Sequence, residues 1–561
     1  MKIIALISLF SFQSFGAPIS AQKLMIAAPS EYAVQAGKEI YLKGGNVVDV
    51  AVASALALSV TSPYFAALGG GGFAIVNISG KSEALDFRET APNKATPDIF
   101  SDIAGDASVQ GGKAVGVPGI PMGLWALHKK YGKLKWSQLF LRPIALAKNG
   151  FNVSGEWVSN TNKAKAFFNS SAKKAFFKSN EVGHLPNDLL KQPGLAKLLE
   201  KFSQQGPKAF YEGEVAEELI KTIQASKGVM SLTDLKEYRE RWLEPLHMHA
   251  FDTDFDLMPP PSSGGLVVAT ALKLAESLEL KKHKLLSQDE LLGLAKTLKA
   301  AFYSRNFLGD PDFIKNPTEY LMSDAYISKL AQIILDPKKN LDDEIVKLSS
   351  PNGGEPNKNE KAETTHLSVM DIEGHAVAMT LTLNGNYGSG LVTERFGIAL
   401  NNEMDDFNIH PGKANMYGLI QGEPNVVGPK KRPLSSMSPT LVSRKGKVVM
   451  SLGSPGGPRI ISSVFQVLYR KLVSGLDIDQ AIQAPRLHHQ FKPNTIFVDK
   501  NRFSPESLES LRKNKFGVEE SWMGKVYGIS IESNSVLNGL GDGEILQGAF
   551  DSRGEGSAGG I

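Results

Sequence analysis

The sequence predicts a mixed α/β protein, and three stretches carry that prediction. Residues 47–60 are nearly all Ala, Val and Leu, and a Thr-Ser-Pro sequence ends the run, which predicts a fully buried helix too short to cross a membrane. Residues 68–76 place four glycines before an apolar run that is typical of a buried strand. Residues 363–383 contain two alternating runs around a turn, which predicts a β-hairpin.

The chain starts with the pattern of a secretory signal peptide, predicted at residues 1–21. Lys2 supplies the positive start, residues 3–15 are apolar but too short to span a bilayer, and residues 19–21 end in a small residue suited to cleavage. A buried N-terminal strand is the alternative interpretation. The signal predicts a bacterial protein that is periplasmic or secreted and has no membrane span.

Composition excludes several classes of function. The 561 residues suggest about three or four domains by length alone. Hydrophobic residues make up 42% and charged residues 21%, as in ordinary globular proteins. The net charge of +4 comes without a long basic run, so we expect no nucleic-acid partner. The chain has no Cys, which excludes a disulfide, a thiolate metal site and a Cys nucleophile. The ten histidines show no metal-ligand spacing, so we predict neither a metal nor another cofactor.

Two features follow the first predicted helix. The glycine run lacks the G-K-[ST] sequence and the following helix of a phosphate-binding loop, so we interpret it as tight helix–strand packing. Arg88 then appears in L-D-F-R-E-T-A-P at 85–92. A lone Arg is usually a solvated or paired surface residue, although a planar guanidinium also suits a carboxylate, which it binds through two hydrogen bonds.

The predicted hairpin brings two hydroxyl side chains together at its open end. A four-residue loop that pairs Met370 with His375 places Thr364 opposite Leu381, next to Thr382. A one-residue bulge places Thr382 directly across from Thr364. Both registers predict two neighbouring hydroxyls in a sheet that holds them rigidly.

The segment before Thr364 differs from the hairpin in kind. Residues 349–363 have no apolar periodicity and predict an exposed, flexible linker. One interpretation is a surface loop before a strand. The other is self-cleavage, in which the Thr364 hydroxyl attacks the carbonyl of Glu363, an ester forms, and water releases Thr364 as a new N-terminus. Its free α-amine has an ordinary pKa of about 7.7–8.0 and can then serve as the base. The intact chain is, on this interpretation, an inactive precursor.

One histidine competes with that amine for the role of base. His366 lies two residues along the same strand, which returns its side chain to the face that carries Thr364. We predict that no histidine is required, and we interpret His366, His488 and His489 as packing or hydrogen-bonding residues.

The chain also contains four long motifs: T-T-H-L-S-V-M-D at 364–371, N-N-E-M-D-D-F at 401–407, R-P-L-S-S-M-S-P-T at 432–440 and G-S-P-G-G-P-R at 453–459. Together they resemble the γ-glutamyltranspeptidase family, the glutathione hydrolases of the N-terminal nucleophile superfamily. The resemblance extends over nearly the whole chain after the N-terminal segment. It implies a four-layer αββα sandwich, with two antiparallel sheets between layers of helices.

The resemblance also implies a role for each site residue. Thr364 is the nucleophile, Thr382 orients it, and the backbone N–H groups of Gly456 and Gly457 bind the oxyanion. The remaining residues hold the amino-acid head of the substrate: Arg88, Ser435 and Ser436 at the α-carboxylate, Glu403 and Asp406 at the ammonium group, Asn384 in contact with the head, and Tyr417 as the cover, in a lid loop at residues 408–419.

The implied reaction transfers the γ-glutamyl group of glutathione and other γ-glutamyl compounds to water or to amino-acid and peptide acceptors, through a γ-glutamyl-enzyme intermediate. Cleavage between Glu363 and Thr364 separates a large subunit, residues 22–363, from a small subunit, residues 364–561. The resemblance implies that the two subunits form one intertwined heterodimeric domain.

Two alternatives stay open. A glutaryl or cephalosporin acylase of the same superfamily accepts a glutaryl group that lacks the ammonium. Glu403 and Asp406 favour the γ-glutamyl reaction, because two buried acids that face no cation are costly. The second alternative is an uncleaved, catalytically silent binding protein, and the presence of Thr364 and Thr382 argues against it.

Overall fold

The computed structural model describes most of the chain, in six stretches: 18–101, 107–349, 364–409, 415–419, 422–533 and 543–561. Nineteen strands lie in these stretches: β1 (Ile19–Ala21), β2 (Leu24–Ala28), β3 (Gly71–Ile78), β4 (Lys81–Phe87), β5 (Phe151–Asn152), β6 (Leu189–Leu190), β7 (Arg241–Leu243), β8 (Leu246–Ala250), β9 (Thr253–Leu257), β10 (Thr364–Asp371), β11 (Ala376–Thr382), β12 (Thr440–Arg444), β13 (Lys447–Gly453), β14 (Leu487–His488), β15 (Thr495–Asp499), β16 (Gly517–Ser521), β17 (Tyr527–Ser533), β18 (Glu544–Phe550) and β19 (Ser557–Gly560).

Nineteen α-helices lie in the same stretches: α1 (Glu31–Leu42), α2 (Val47–Thr61), α3 (Pro63–Ala66), α4 (Ile120–Tyr131), α5 (Leu141–Asn149), α6 (Gly155–Ala164), α7 (Ser170–Phe176), α8 (Pro193–Gln205), α9 (Lys208–Tyr211), α10 (Gly213–Ala225), α11 (Leu232–Glu237), α12 (Gly264–Ser277), α13 (Gln288–Tyr303), α14 (Thr318–Met322), α15 (Asp324–Leu335), α16 (Leu341–Ser349), α17 (Arg459–Val473), α18 (Ile478–Gln483) and α19 (Pro505–Lys513).

Two seven-stranded antiparallel sheets stack face to face at the centre of the molecule. The first has the strand order β19-β2-β10-β11-β3-β4-β7, and the second β1-β18-β17-β13-β12-β9-β8. Helices α1, α2, α4, α5 and α8 cover the outer face of the first sheet, and helices α12, α13, α15 and α17 cover the second. The predicted four-layer αββα sandwich is therefore confirmed.

The first sheet interleaves strands from both sides of Thr364. Strands β10 and β11 lie between β2 and β3, which come from the N-terminal part of the chain, and β19 pairs with β2 at the edge. Both parts of the chain therefore build one sheet, and a cut before Thr364 would leave their ladder hydrogen bonds intact.

Helix α2 forms where the apolar run predicts it. The Asn46 side chain caps the first turn by accepting from the backbone N–H of Asp49. The Asp49 carboxylate accepts from the backbone N–H of Asn46, so both N–H groups at the helix start are satisfied. Every residue of α2 is buried, between the first sheet and the neighbouring helices. Ser62 and Pro63 end the helix, since the proline ring cannot continue it.

The glycine run lets β3 approach β11 closely. A Cβ on Gly70 would lie 2.0 Å from the carbonyl oxygen of Thr382, and a Cβ on Gly72 would lie 2.3 Å from that of Thr380. Any side chain at these positions would therefore displace the strand that carries Thr382. Tight packing is thus present, but the close contacts of Gly70 and Gly72 are with strand β11, whereas the sequence predicted packing between a helix and a strand.

The hairpin of β10 and β11 adopts the second of the two predicted registers. Thr364 pairs with Thr382 and Met370 with Ala376. The register with Met370 opposite His375 is wrong, because Gly374 adopts a left-handed conformation (φ +91°) and adds the extra residue of a bulge at the turn. This shift by one residue brings Thr382 directly across from Thr364.

The N-terminal segment enters the second sheet at its edge. Strand β1 pairs with β18, with Ile19 opposite Gly548 and Ala21 opposite Leu546. The last three residues of the predicted signal segment thus belong to the folded sheet, while residues 1–17 lie outside the described residues. Among the described residues, no helix is long and apolar enough to cross a membrane.

Buried histidines are expected to make the fold sensitive to acid. Burial lowers the pKa of His489 to about 3, whereas the unfolded chain has the ordinary value near 6.5. Stability is therefore full above pH 6.5 and is lost as the pH falls towards 3, by about 2 kcal/mol at pH 5 for this one residue. We expect the thermal midpoint to fall between pH 7 and pH 5, and to fall less in His489→Gln.

The control for this prediction is His249→Gln. His249 is exposed, and a hydrogen bond from its ring to Asp254 raises its pKa, so its removal should not reduce the acid sensitivity. Equal midpoint losses in wild type and His489→Gln would contradict the prediction.

Candidate active site

Thr364 and Thr382 lie side by side where the hairpin opens. Thr364 is the first residue of β10 and Thr382 the last of β11, and both side chains face the second sheet. Their Oγ1 atoms are 3.3 Å apart, and the backbone N–H of Asn384 donates to Thr382 Oγ1 at 2.8 Å. Thr364 is nearly buried, with 5% of its surface exposed. The predicted pair of hydroxyls is thus present in a rigid setting.

Arg88 follows directly after β4 and is fully buried. Its Nη1 donates to Glu403, its Nη2 donates to Asp406 Oδ2 at 2.6 Å, and its Nε donates to the carbonyl of Pro433 at 3.2 Å. The sequence predicted the arginine and the two acids at opposite ends of a substrate head. In the structure they contact one another directly, so a ligand that paired with both sides would have to insert between them.

The electrostatics of this cluster favour the binding of a positively charged ligand group. Burial raises the pKa of Glu403 well above its usual range and that of Asp406 above its own, and Arg88 only partly offsets the effect. Burial lowers the pKa of Arg88, but Glu403 and Asp406 outweigh it, so the guanidinium stays charged. An ammonium group placed beside the two acids would stabilise their ionised forms and remove part of the burial cost.

A small cavity joins the threonine pair to the arginine cluster. Ten of its lining residues were predicted from the sequence: Arg88, Thr364, Thr382, Asn384, Glu403, Asp406, Tyr417, Ser435, Ser436 and Gly457. The other three are Leu419, Met437 and Ile460. Gly456 adjoins Gly457 but does not line the cavity.

The glycine pair forms the turn between β13 and α17. Gly456 has φ +131° and Gly457 has φ +52°, a backbone path that other residues rarely adopt. The carbonyls of Gly456 and Gly457 accept hydrogen bonds from Arg459 and Ile460 at the start of α17. Because glycine has no side chain, the backbone of this turn lies directly beside the cavity.

Tyr417 closes the cavity over Asn384. Its hydroxyl donates to the Asn384 carbonyl at 2.6 Å and also contacts the Asn384 side-chain oxygen. Asn384 has φ +70°, a strained value that often marks functional positions. Of the predicted lid loop, residues 410–414 lie outside the described residues, and residues 415–419 contact the site.

The arrangement suits one kind of chemistry. A buried hydroxyl beside a second hydroxyl can attack a carbonyl, and a cavity with a guanidinium, two serines and two acids can hold an amino-acid head with both charges. Glu363, the residue before the proposed cleavage, lies outside the described residues. Within the described stretches, no group of three or more His, Asp or Glu residues could hold a metal ion.

Comparison with known proteins agrees with this geometry. The sequence profile described as gamma-glutamyltranspeptidase matches residues 33–561. The chain belongs to the gamma-glutamyltranspeptidase family. It is accordingly a hydrolase or transferase of the N-terminal nucleophile type, as the sequence predicted.

Two gamma-glutamyltranspeptidase relatives show how similar this chain is to known members of the family. The chain is 38% identical over 545 residues to a protein of Pseudomonas aeruginosa strain PAO1 named glutathione hydrolase proenzyme, covering 95% of this chain and 93% of the relative. It is also similar to the structure of Helicobacter pylori gamma-glutamyltranspeptidase, with a TM-score of 0.54 and 33% identity over 58% of this chain and 94% of that one. The family thus contains processed proteins whose separate chains match parts of this chain.

A third neighbour shares the fold over nearly the full length. The structure of cephalosporin acylase from Bacillus halodurans aligns with a TM-score of 0.82 and 21% identity, covering 99% of both chains. At this identity the similarity concerns the sandwich fold.

His366 is the alternative to the Thr364 amine as the base in this family member, and its ring is bound to other side chains. Its Nδ1 lies 2.9 Å from Thr380 Oγ1 and its Nε2 lies 3.0 Å from Ser368 Oγ, so both ring nitrogens are engaged away from Thr364. Burial lowers the pKa of His366 to about 3. A ring that stays neutral and bonded to two hydroxyls fits the predicted packing role.

The sequence analysis missed two charged residues beside the gamma-glutamyltranspeptidase site. Glu89 is fully buried with a carboxylate oxygen 3.8 Å from Arg88 Nη1, and burial raises its pKa. Arg305 is buried as well and donates to Ser263 Oγ at 3.1 Å, and its charge offsets part of the rise in the pKa of Asp406 that burial causes. The Arg-Glu dipeptide after an apolar strand was a signal for Glu89, whereas nothing local marked Arg305.

Proposed function

We propose that this protein cleaves the γ-glutamyl amide bond of glutathione and other γ-glutamyl compounds and passes the glutamyl group to water or to amino-acid and peptide acceptors. One observation carries the proposal. A nucleophile-bearing threonine pair shares a cavity with Arg88 and with the acids Glu403 and Asp406, which suit the carboxylate and ammonium of a glutamyl head. The names of the relatives point to the same substrate.

The first half-reaction forms an ester. The Thr364 oxygen attacks the γ-carbonyl while the free amine of Thr364 takes its proton, and the Thr382 hydroxyl holds the nucleophile in place. The carbon–nitrogen bond then breaks, and the proton passes to the leaving amine. In the second half-reaction, water or an acceptor amine attacks the ester carbonyl, and the Thr364 oxygen leaves with a proton.

The negative charge that develops on the carbonyl oxygen during attack has to be stabilised by hydrogen-bond donors. The backbone N–H groups of Gly456 and Gly457 are proposed to supply them, because the turn meets the cavity without a side chain. Loss of one such donor typically slows a reaction by about 10²–10³-fold. Ser435 and Ser436 are proposed to join Arg88 on the α-carboxylate, and Asn384 and Tyr417 to enclose the head.

The same threonine is proposed to cut the precursor. Thr364 attacks the carbonyl of Glu363, and hydrolysis of the ester yields residues up to 363 as the large subunit and residues 364–561 as the small subunit. The interleaved strands β2, β10, β11 and β3 support a stable heterodimer after the cut, since each pair keeps its ladder bonds.

Export to the bacterial periplasm or the medium is part of the proposal. The pattern of residues 1–17 supports a signal peptide, and the pairing of β1 supports removal before Ile19 rather than after Ala21. Intact-mass measurement of the exported protein is the test. A mature chain that begins after Ala21 would contradict the revised boundary.

The decisive experiment compares two donors. The purified protein is incubated with γ-glutamyl-p-nitroanilide, with and without a dipeptide acceptor, and in parallel with glutaryl-p-nitroanilide. We expect turnover of the glutamyl donor, a faster release when the acceptor is present, and little turnover of the glutaryl donor, which lacks the ammonium. Preferred turnover of the glutaryl donor would favour the acylase, and a single uncleaved chain without activity would favour a binding protein.

The activity is expected to rise with pH through one ionisation, that of the Thr364 amine. The amine accepts a proton only when it is unprotonated, so kcat/KM should increase along a single basic limb. His366→Gln should keep both the cleavage and this limb, because His366 is already neutral and bonded to Thr380 and Ser368. The measurement is kcat/KM against pH for both proteins. A mutant that is cleaved but lacks the limb would assign the base to His366.

A further inference from the structure

An exposed tryptophan lies beside the glycine turn of the active site. Trp522 follows β16 and is 39% exposed, whereas the other tryptophans of the described residues are buried or half-buried.

The indole is close to Gly456. An ideal Cβ placed on Gly456 would lie 3.5 Å from Trp522 Cζ3, so little more than a methyl group separates the ring from the glycine backbone. The same construction places Gly524 and Arg459 against the turn, at 3.3 Å and 3.5 Å. The segment that carries Trp522 therefore packs against this turn, next to Gly457, which lines the cavity.

The ring also has a fixed orientation. Its Nε1 donates to the carbonyl of Arg553 at 3.3 Å. Arg553 is itself held by Asp499 at 2.8 Å and by Asp551 at 2.9 Å. A partly exposed aromatic ring that is held in place offers contact area at a low entropic cost, which is the property of a binding platform.

The direction of the substrate follows from the proposed function, on which this inference rests. The glutamyl head occupies the end of the cavity at Arg88, and the scissile carbonyl lies between Thr364 and Gly457. The group on the far side of the carbonyl then extends past Gly456 towards solvent. The leaving amine and the acceptor amine use this position in turn, because the second half-reaction reverses the first with a different amine.

We propose that Trp522 forms part of the acceptor subsite and holds an aromatic or aliphatic side chain of the incoming amino acid or peptide. The acceptor amine attacks the ester carbonyl, a carbon–nitrogen bond forms, and the carbon–oxygen bond to Thr364 breaks. The proton lost by the amine returns to the Thr364 oxygen through the Thr364 amine. Trp522 makes no bond in this step and acts by positioning the acceptor.

The test measures acceptor selectivity with γ-glutamyl-p-nitroanilide as the donor. Phenylalanylglycine and glycylglycine are compared as acceptors, and the readout is the ratio of their KM values. We expect Trp522→Ala to raise the ratio of phenylalanylglycine KM to glycylglycine KM by about 3–10-fold, the range of an aromatic contact. Trp522→Phe should restore most of the wild-type ratio. A purely structural role for Trp522 would change both KM values together.

Control variants separate the possible outcomes. Tyr320→Ala removes a similarly exposed aromatic ring on α14, outside the active site, and should leave the ratio unchanged. Trp522→Leu keeps an apolar side chain in case the alanine variant folds poorly, and it should also raise the ratio. An unchanged ratio in all three Trp522 variants would overturn the acceptor subsite alone. Absence of donor turnover in the wild type would instead overturn the proposed function.

Discussion

Thr364→Ala is expected to leave the protein as one uncut chain with no measurable turnover of a γ-glutamyl donor. The substitution removes the oxygen that attacks Glu363 during cleavage and the substrate during turnover, so both reactions lose their nucleophile. Only a methyl group remains opposite Thr382, and the hairpin register should survive because its ladder bonds come from the backbone. A denaturing gel and a donor assay on the same preparation measure both effects.

The adjacent threonine is the matched control. Thr365 is also buried, but its side chain is on the opposite face of β10 from Thr364, and its hydroxyl has no hydrogen-bond partner among the described residues. Thr365→Ala should therefore be cleaved and active. Cleavage or activity in Thr364→Ala, or a wild type that is active as a single band, would remove Thr364 from the mechanism.

The second large effect is expected at Arg88. Arg88→Lys keeps a positive charge among Glu403, Asp406 and Glu89, but it loses the planar, two-point grip on a carboxylate. Loss of one charge-assisted hydrogen bond costs about 1.5–3 kcal/mol, which corresponds to a KM increase of about 10–100-fold with a smaller change in kcat. Initial rates over a range of donor concentrations measure it.

Stability has to be followed alongside KM for this variant. Arg241→Lys is a suitable control, since Arg241 is also a largely buried arginine paired with three acids, Asp86, Asp310 and Asp312, but it does not line the cavity. Similar melting temperatures for the two variants, with KM raised only in Arg88→Lys, would assign Arg88 to the substrate. An unchanged KM in Arg88→Lys would exclude it.

The local sequence pattern was enough to predict those elements that are stabilised by residues close to them in the sequence. Helix α2 follows from an apolar run with a capping Asn46 and a terminating Pro63, because backbone capping and burial act within a few residues. The hairpin of β10 and β11 follows from alternation and a turn, since its two strands are joined directly. The threonine pair was therefore predictable from its own hairpin.

The motifs of the sequence also allowed the family to be recognised and its site residues to be named, but they could not give the contacts among those residues. The ion pairs of Arg88 join it to Glu403 and Asp406 across more than 300 residues of sequence. Arg305, which is buried in the same cluster, had no individual signal.

By itself, the sequence determined the α2 helix, the paired threonines and the membership of the family, because each depends on short-range geometry or on a motif. The tertiary structure alone decided the hairpin register, through one left-handed Gly374, and the direct pairing of Arg88 with both acids. It also decided that Trp522 stands beside Gly456. These features depend on which surfaces meet when the two sheets stack, and stacking is set by the packing of the whole core rather than by any local pattern.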